Sequence, residues 1–164
     1  MASEDTDPRW GEFSQRMSQF HDYFKSEFNT LYELADGSFT KRGLSLTLYL
    51  DMARRLNDHL TMHHTLEERH FFPVLGQKMP QFAVEAEGGH IESHEAIHTG
   101  LEKLSGLVQK FKKEPSTYSP EEMRACLDGF RTVLFSHLDQ EVSDLSGDNL
   151  KKYFSLQELK QMPF

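Results

Sequence analysis

The chain contains 164 residues, of which 37% are hydrophobic and 27% charged, and it carries a formal net charge of −8 at pH 7. Its length fits one domain with one hydrophobic core, and its acidic balance, without a basic run, excludes nucleic acid or an anionic membrane as the main partner. No apolar stretch approaches the roughly 18 residues that span a bilayer, and the acidic N-terminus lacks the apolar core of a signal peptide. Because Cys126 is the single cysteine, an internal disulfide is excluded, and we expect a soluble cytoplasmic protein.

Proline and glycine residues divide the sequence into four long segments with helical periodicity. We expect helices over about residues 12–35, 44–72, 90–113 and 120–145. The fourth has a strong start signal, because Ser119 can cap it, Pro120 fits its first position and Glu122 completes a capping box. Ser155 indicates a further short helix near the C-terminus.

The order and spacing of these segments predict the architecture. No segment shows the alternating pattern of a β-strand, and the short connections after the first and third helices favour antiparallel neighbours. We predict an all-α fold, an antiparallel up-down four-helix bundle over residues 12–146 with a short C-terminal helix. Residues 1–11 are expected to form a flexible N-terminus, and residues 147–164 a C-terminal extension that packs on the bundle.

Nine histidines distinguish this chain from an ordinary bundle. With 100° between successive residues, each predicted helix places at least one histidine on its apolar face, and two helices add a glutamate one turn after a histidine. The inward-facing set comprises His21, His63, Glu67, His94, His98, His137 and Glu141. On the third helix, His94 pairs at helical spacing with either His90 or His98, so both pairs stay open at this point, with His98 the preferred second residue.

Buried carboxylates beside buried imidazoles indicate a metal site. An unpaired carboxylate in an apolar interior costs several kcal/mol, and inward lysine or arginine residues are almost absent near these positions. Nitrogen and oxygen ligands suit iron, zinc, manganese or copper better than an iron–sulfur cluster. Seven candidate ligands exceed the four of a single zinc ion. The set therefore indicates two ions, with Glu67 and Glu141 as the natural bridges because a carboxylate has two oxygens.

Several segments resemble the hemerythrin-like family, also called HHE cation-binding proteins, of a type common in fungi. Residues 63–75, HHTLEERHFFPVL, resemble the HHxxEE…FP signature, and they are followed by HEAIH at 94–98 and HLDQE at 137–141. Residues 21–32 fit the first-helix histidine motif, so the resemblance runs from about Phe20 to the C-terminus. The resemblance implies a four-helix bundle that holds two non-haem iron ions, bridged by two carboxylates and an oxo or hydroxo group.

The resemblance also implies roles for individual residues. His21 and His63 would hold one iron, His137 and the histidines of the third helix would hold the other, and Glu67 and Glu141 would bridge. One position departs from the oxygen-carrying hemerythrins, which place an aspartate five residues after the last histidine, where this chain has Val142. His59, His64 and His70 remain as possible ligands or as residues that contact the ligands. Of these, His59 and His64 are expected to lie around the ligands or to face solvent.

The functional hypothesis is therefore a non-haem di-iron protein that binds dioxygen or a related small ligand for sensing, storage or iron handling. A di-iron oxidoreductase acting on peroxide or nitric oxide is one alternative, and a domain whose metal is only structural is another. Because the sequence shows no cofactor-binding loop, binding ranks above catalysis. A ferritin-like oxidase is disfavoured, because Glu95, which its motif would require, lies about 100° from His94 and off the apolar stripe.

Overall fold

The computed structural model describes residues 3–163 and, among these, contains helices and turns but no strand. Residues 1, 2 and 164, which belong to the predicted N-terminal segment and C-terminal extension, lie outside the described range. In chain order the α-helices are α1 Arg9–Leu34, α2 Leu46–Leu66, α3 Phe72–Leu75, α4 His90–Lys113, α5 Pro120–Asp144, α6 Gly147–Tyr153 and α7 Leu156–Lys160. None of the helices in this part of the chain is long and apolar enough to cross a bilayer.

The four long helices α1, α2, α4 and α5 run antiparallel to their neighbours. Midway along α1, the ring of His21 donates a hydrogen bond to the carbonyl of Leu138, late in α5. Late in α1, the hydroxyl of Tyr32 donates to Asp128, early in α5. Side-chain contacts link α2 to α1, α2 to α4 and α4 to α5 in the same reversed order. The predicted all-α, up-down bundle is confirmed.

Two apolar clusters fill the interior. The larger one lies between the four long helices and includes Phe28, Leu60 and Phe130, each at most 1% exposed. The smaller one joins the start of α1 to the C-terminal helices, with Trp10 and Leu150 among its members. Along the chain His21, His64, His94 and Glu141 each lie between residues of the two clusters, so a polar layer separates the two apolar regions.

The helices differ from the predicted ones in three respects. Helix α1 begins at Arg9 rather than Glu12, because Trp10 is drawn into the smaller cluster and its indole N–H donates to the carbonyl of Glu4 at 2.8 Å. The chain after α2 continues in helical conformation past Pro73 to Leu75, since a proline in the first turn of a helix leaves no required N–H unpaired. The C-terminal extension holds two short helices instead of one.

Candidate metal centre

The buried polar and charged side chains among the described residues gather in one layer of the bundle, and every long helix or its extension contributes to it. The half-buried ring of His63 completes this layer. The buried members of the layer are His21, His64, Glu67, His90, His94, His137 and Glu141.

Two histidines from α1 and α2 form one side of the layer, which we call the first group. The Nε2 atoms of His21 and His63 lie 3.3 Å apart. His21 Nε2 is 3.4 Å from Oε1 of Glu141, and His63 Nε2 is in close contact with Oε1 of Glu67. The four ligand atoms all lie within 4.8 Å of one another, a spacing that a single cation can span.

Two histidines from α4 and α5 form the opposite side, the second group. The Nε2 atoms of His94 and His137 lie 3.0 Å apart. His94 Nε2 is 3.4 Å from Oε2 of Glu67, and His137 Nε2 is 3.2 Å from Oε2 of Glu141. These ligand atoms also lie within 4.8 Å of one another. The two carboxylates therefore belong to both groups, with one oxygen facing each.

The position of Glu67 depends on a widened turn that follows α2. Residues Glu67–Phe71 form a π-helical segment, in which the N–H of Phe72 donates to the carbonyl of Glu67, five residues back. Such a turn holds one residue more than an α-helical turn. Glu67 and Phe72 are consequently both buried although they are five positions apart. The segment thus places the carboxylate of Glu67 in the polar layer, and the ring of Phe72, five residues later, in the smaller apolar cluster.

Hydrogen bonds on the far side of two rings fix which nitrogen carries the lone pair. His21 Nδ1 donates to the carbonyl of Leu138 at 2.8 Å, and His94 Nδ1 donates to Oε1 of Glu68 at 3.0 Å. In each neutral ring the Nε2 atom is then an acceptor. Both Nε2 atoms nevertheless face carboxylate oxygens, which are also acceptors. No hydrogen bond can therefore form between an Nε2 atom and the ionised carboxylate that it faces.

The carboxylate oxygens give the same result. All four oxygens of Glu67 and Glu141 are buried and lack a hydrogen-bond donor within the described residues. Burial of such groups without a partner is costly, and native proteins rarely leave it uncompensated. A cation bound between the imidazole nitrogens and the carboxylates would satisfy every one of these atoms. The residues present therefore fit a metal ion on each side of the carboxylate pair.

Burial also sets the protonation of this layer. Desolvation lowers the pKa of His63 to about 4 and lowers the pKa of His64 and His94 further below the usual value for imidazole. Desolvation raises the pKa of Glu67 well above its usual range. In Glu141, burial opposes ionisation, but the imidazoles of His137 and His21, 3.2 and 3.4 Å from its oxygens, outweigh burial and lower the pKa. Neutral imidazole is the form that binds metal, and these three rings are neutral at pH 7.

Two residues behind the second group hold the ring of His137. The Nε2 atom of His90 donates to Asp144 at 2.8 Å, which leaves His90 Nδ1 as an acceptor 3.3 Å from Nδ1 of His137. His137 can then donate from Nδ1 and keep the lone pair of its Nε2 atom for a metal. A carboxylate that orients a ligating histidine in this way is a common outer contact in metal sites.

His64 lies deeper than the sequence indicated. It was expected around the ligands or in solvent, but it is only 7% exposed, and its ring stacks on that of His94 with 3.7 Å between centroids. Its Nε2 atom is buried without a hydrogen-bond partner among the described residues. One of its ring nitrogens lies within 4.8 Å of ring nitrogens of His94 and His137. The apolar stripe of α2 explains the difference, since it runs through Leu60, His64 and Glu67 and leaves His63 half-buried beside it.

The prediction that His98 faces the site is wrong. Its side chain is 60% exposed and pairs with Glu102 at 3.2 Å. The buried residues of α4 recur in steps of four and three, as in a bundle seam, and Ile97 rather than His98 follows His94 among them. Of the remaining candidates, His59 lies at the surface beside Glu27 and His70 is exposed.

Fold and site together define a helical bundle with a buried cation-binding layer. A family model for the hemerythrin HHE cation binding domain matches residues 13–146, and the chain belongs to this family. It is also 28% identical over 163 residues to the "Dimeric xanthone biosynthesis cluster protein R11" of Cryptosporiopsis sp. (strain 8999). That match covers 92% of this chain but only 55% of the relative, so the chain spans about half of the relative's length. No solved structure gave a significant match.

Proposed function

We propose that this protein holds two iron ions, one in each histidine group, and that the pair binds dioxygen or a related small ligand for sensing, storage or iron handling. One observation carries the proposal: each buried carboxylate directs one oxygen toward each group, as a bridge between two ions requires. The mixed nitrogen and oxygen donors suit iron, and membership of a cation-binding family supports the same assignment.

The proposed ligands divide unequally between the two ions. His21 and His63 hold the first ion, and Glu67 and Glu141 serve both. For the second ion we propose three imidazoles, from His64, His94 and His137, because a ring nitrogen of His64 lies within 4.8 Å of ring nitrogens of the other two. His90 is assigned to the outer hydrogen-bond chain, since both of its ring nitrogens already face partners. With fewer protein ligands, the first ion has the greater capacity for an exogenous ligand.

The protein's contribution is to position and shield the centre. When bound, ferrous ions would supply electrons and open coordination positions for a small ligand. The hydrogen bonds from His21 to Leu138 and from His94 to Glu68 hold the two Nε2 atoms toward the carboxylates. The buried ring of Phe24 packs against the first group, with its centroid 5.0 Å from that of His63.

The proposal is tested by spectroscopy on the iron-loaded protein. Anaerobic reduction followed by air should produce a visible absorption band that disappears under vacuum and returns with air. The band should be absent from Glu141→Gln, which removes a shared ligand, and unchanged in His98→Ala, whose side chain is exposed. Irreversible oxidation without such a band would contradict ligand binding.

A second candidate function is an oxidoreductase that uses the same centre. A cavity opens beside His63 and leaves room for a substrate. The relative from Cryptosporiopsis is named for a dimeric xanthone biosynthesis cluster, so a role in the biosynthesis of aromatic compounds also becomes a hypothesis for this chain. Steady turnover of peroxide or nitric oxide with an electron donor, lost in His63→Ala, would favour an oxidoreductase over a binding protein.

A further inference from the structure

A cavity of about 570 Å³ lies between α1 and α2, and the ring of His63 forms part of its wall. This volume falls within the range of about 300–1,000 Å³ that small-molecule sites occupy. We propose that the cavity binds a flat aromatic anion, such as an aromatic carboxylate, whose ring lies beside His63. The inference deepens the proposed function and rests on it in one respect, because it places this organic ligand next to the first ion.

Exposed apolar side chains surround the mouth of the cavity. Six large hydrophobic side chains among the described residues are exposed, and four of them line this cavity. These four are Phe20 at 58%, Tyr23 at 54%, Met62 at 64% and Leu66 at 46% exposure. Single exposed hydrophobic residues are ordinary, whereas a contiguous group beside a concave surface is typical of a binding site.

The wall favours a flat ring over a flexible chain. The ring centroid of Phe20 lies 6.3 Å from that of His63, and the centroids of Tyr23 and His59 lie 6.0 Å apart. Aromatic side chains at these separations offer faces and edges to a further ring. Met62 adds a flexible thioether, which adapts to the outline of a ligand and makes favourable contacts with aromatic rings.

One cation selects the charge of the ligand. Arg16 lines the cavity and forms no ion pair or hydrogen bond with another described residue. The guanidinium group binds carboxylates in a two-pronged geometry. A second basic side chain at the mouth, His59, is already 3.1 Å from Glu27. An aromatic anion would therefore place its ring on the apolar wall and its charge at Arg16.

Calorimetric titration of the iron-loaded protein with 2-naphthoate tests the inference. One molecule should bind per chain, at least tenfold more tightly than 2-naphthylmethylammonium, which reverses the charge, and decanoate, which lacks the ring. The double variant Phe20→Ala, Met62→Ala should weaken binding by about tenfold or more, given the apolar area removed. Arg16→Gln should weaken it by about fivefold, as for loss of an exposed ion pair. Leu48→Ala, at an exposed apolar residue outside the cavity, and Arg42→Gln should leave binding unchanged.

Iron content and the visible spectrum, measured on the same samples, separate the two claims. Bound 2-naphthoate should shift the spectrum of the iron-loaded protein, because its ring lies beside His63. If the protein carries its iron but 2-naphthoate does not bind, or binds the cavity variants as well as the parent, the inference is wrong and the proposed function stands. If the protein binds no metal and the cavity variants still lose 2-naphthoate, the proposed function fails and the binding site stands. Self-association through this face, abolished by the same double variant, would also overturn the inference.

Discussion

The carboxylates of Glu67 and Glu141 lie between two pairs of histidines, and each carboxylate directs one oxygen toward each pair. The arrangement joins residues of helices that are far apart in the chain, since Glu67 follows α2 and Glu141 lies in α5. Because neither carboxylate has a hydrogen-bond donor among the described residues, the cations that we propose would account for its burial. The two proposed ions should consequently depend on each other through these shared ligands.

Replacing a shared ligand should therefore remove more metal than replacing an unshared one. We expect Glu141→Gln to bind less than one iron ion per chain, because both groups lose a metal ligand. His21→Gln should retain about one iron ion, because only the first group loses a ligand. Elemental analysis after anaerobic loading and desalting measures the difference. Glu102→Gln, at an exposed glutamate, is the control. Equal losses in Glu141→Gln and His21→Gln would show that the carboxylate is not shared.

Helix α4 offers a matched pair of histidines one turn apart. The ring of His94 is 3% exposed and faces the carboxylates, whereas the side chain of His98 is 60% exposed. His94→Ala should lower iron affinity at least tenfold, and His98→Ala should leave it unchanged. Competition with a chromophoric chelator measures both. A loss in His98→Ala equal to that in His94→Ala would contradict the position of α4.

The hydrogen bond from His90 to Asp144 should contribute to metal affinity without supplying a ligand. Asp144→Asn weakens the orientation of His90 and, through it, of His137. We expect iron affinity to fall by about tenfold, the usual size of such outer effects, while the number of ions at saturating iron stays the same. Asp148→Asn, at a side chain that is 95% exposed, is the control. A change in stoichiometry would instead make His90 a ligand.

The end of the bundle opposite the C-terminal helices should be sensitive to alkaline pH. The hydroxyl of Tyr49 donates to the carbonyl of Leu31 at 2.7 Å, in the last turn of α1, where helix carbonyls lack partners. Burial raises the pKa of Tyr49 well above 10.0. The folded state therefore keeps a proton that the unfolded state loses. The contribution of Tyr49 to stability should be constant below pH 10 and fall above it by about 1.4 kcal/mol per pH unit.

Urea denaturation between pH 7 and pH 11 checks this dependence. Tyr49→Phe should lose about 1 kcal/mol at pH 7 with its hydrogen bond, and its stability should fall less steeply above pH 10. Tyr23→Phe, at a 54% exposed tyrosine, should behave like the parent protein. An unchanged slope in Tyr49→Phe would show that Tyr49 is not the titrating group.

The bundle and most of the site layer follow directly from helical periodicity. On α1 and α5 the buried residues recur in steps of three and four, and ideal geometry places His21, His137 and Glu141 among them. On α4 the same geometry tolerated both His98 and Ile97, which differ by one position. Only contact with α5, where Gly100 lies directly against the ring of Phe130, selects the face that buries Ile97.

Tertiary contacts decide what periodicity alone could not. Ideal α-helical geometry, assumed for every predicted helix, cannot predict the π-helical segment after α2. The helical path of the chain past Pro73 was therefore not predicted. The depth of His64 depends on its ring stacking against His94, a contact between helices. The cavity beside His63 depends on how α1 and α2 pack against each other, which the sequence alone does not give.

The most direct test of a two-ion centre is elemental analysis of protein purified without added metal. The account predicts two iron ions per chain, together with loss of both in a Glu67→Gln, Glu141→Gln double variant that remains helical by circular dichroism. A single ion per chain, such as one zinc held by four ligands, would contradict it.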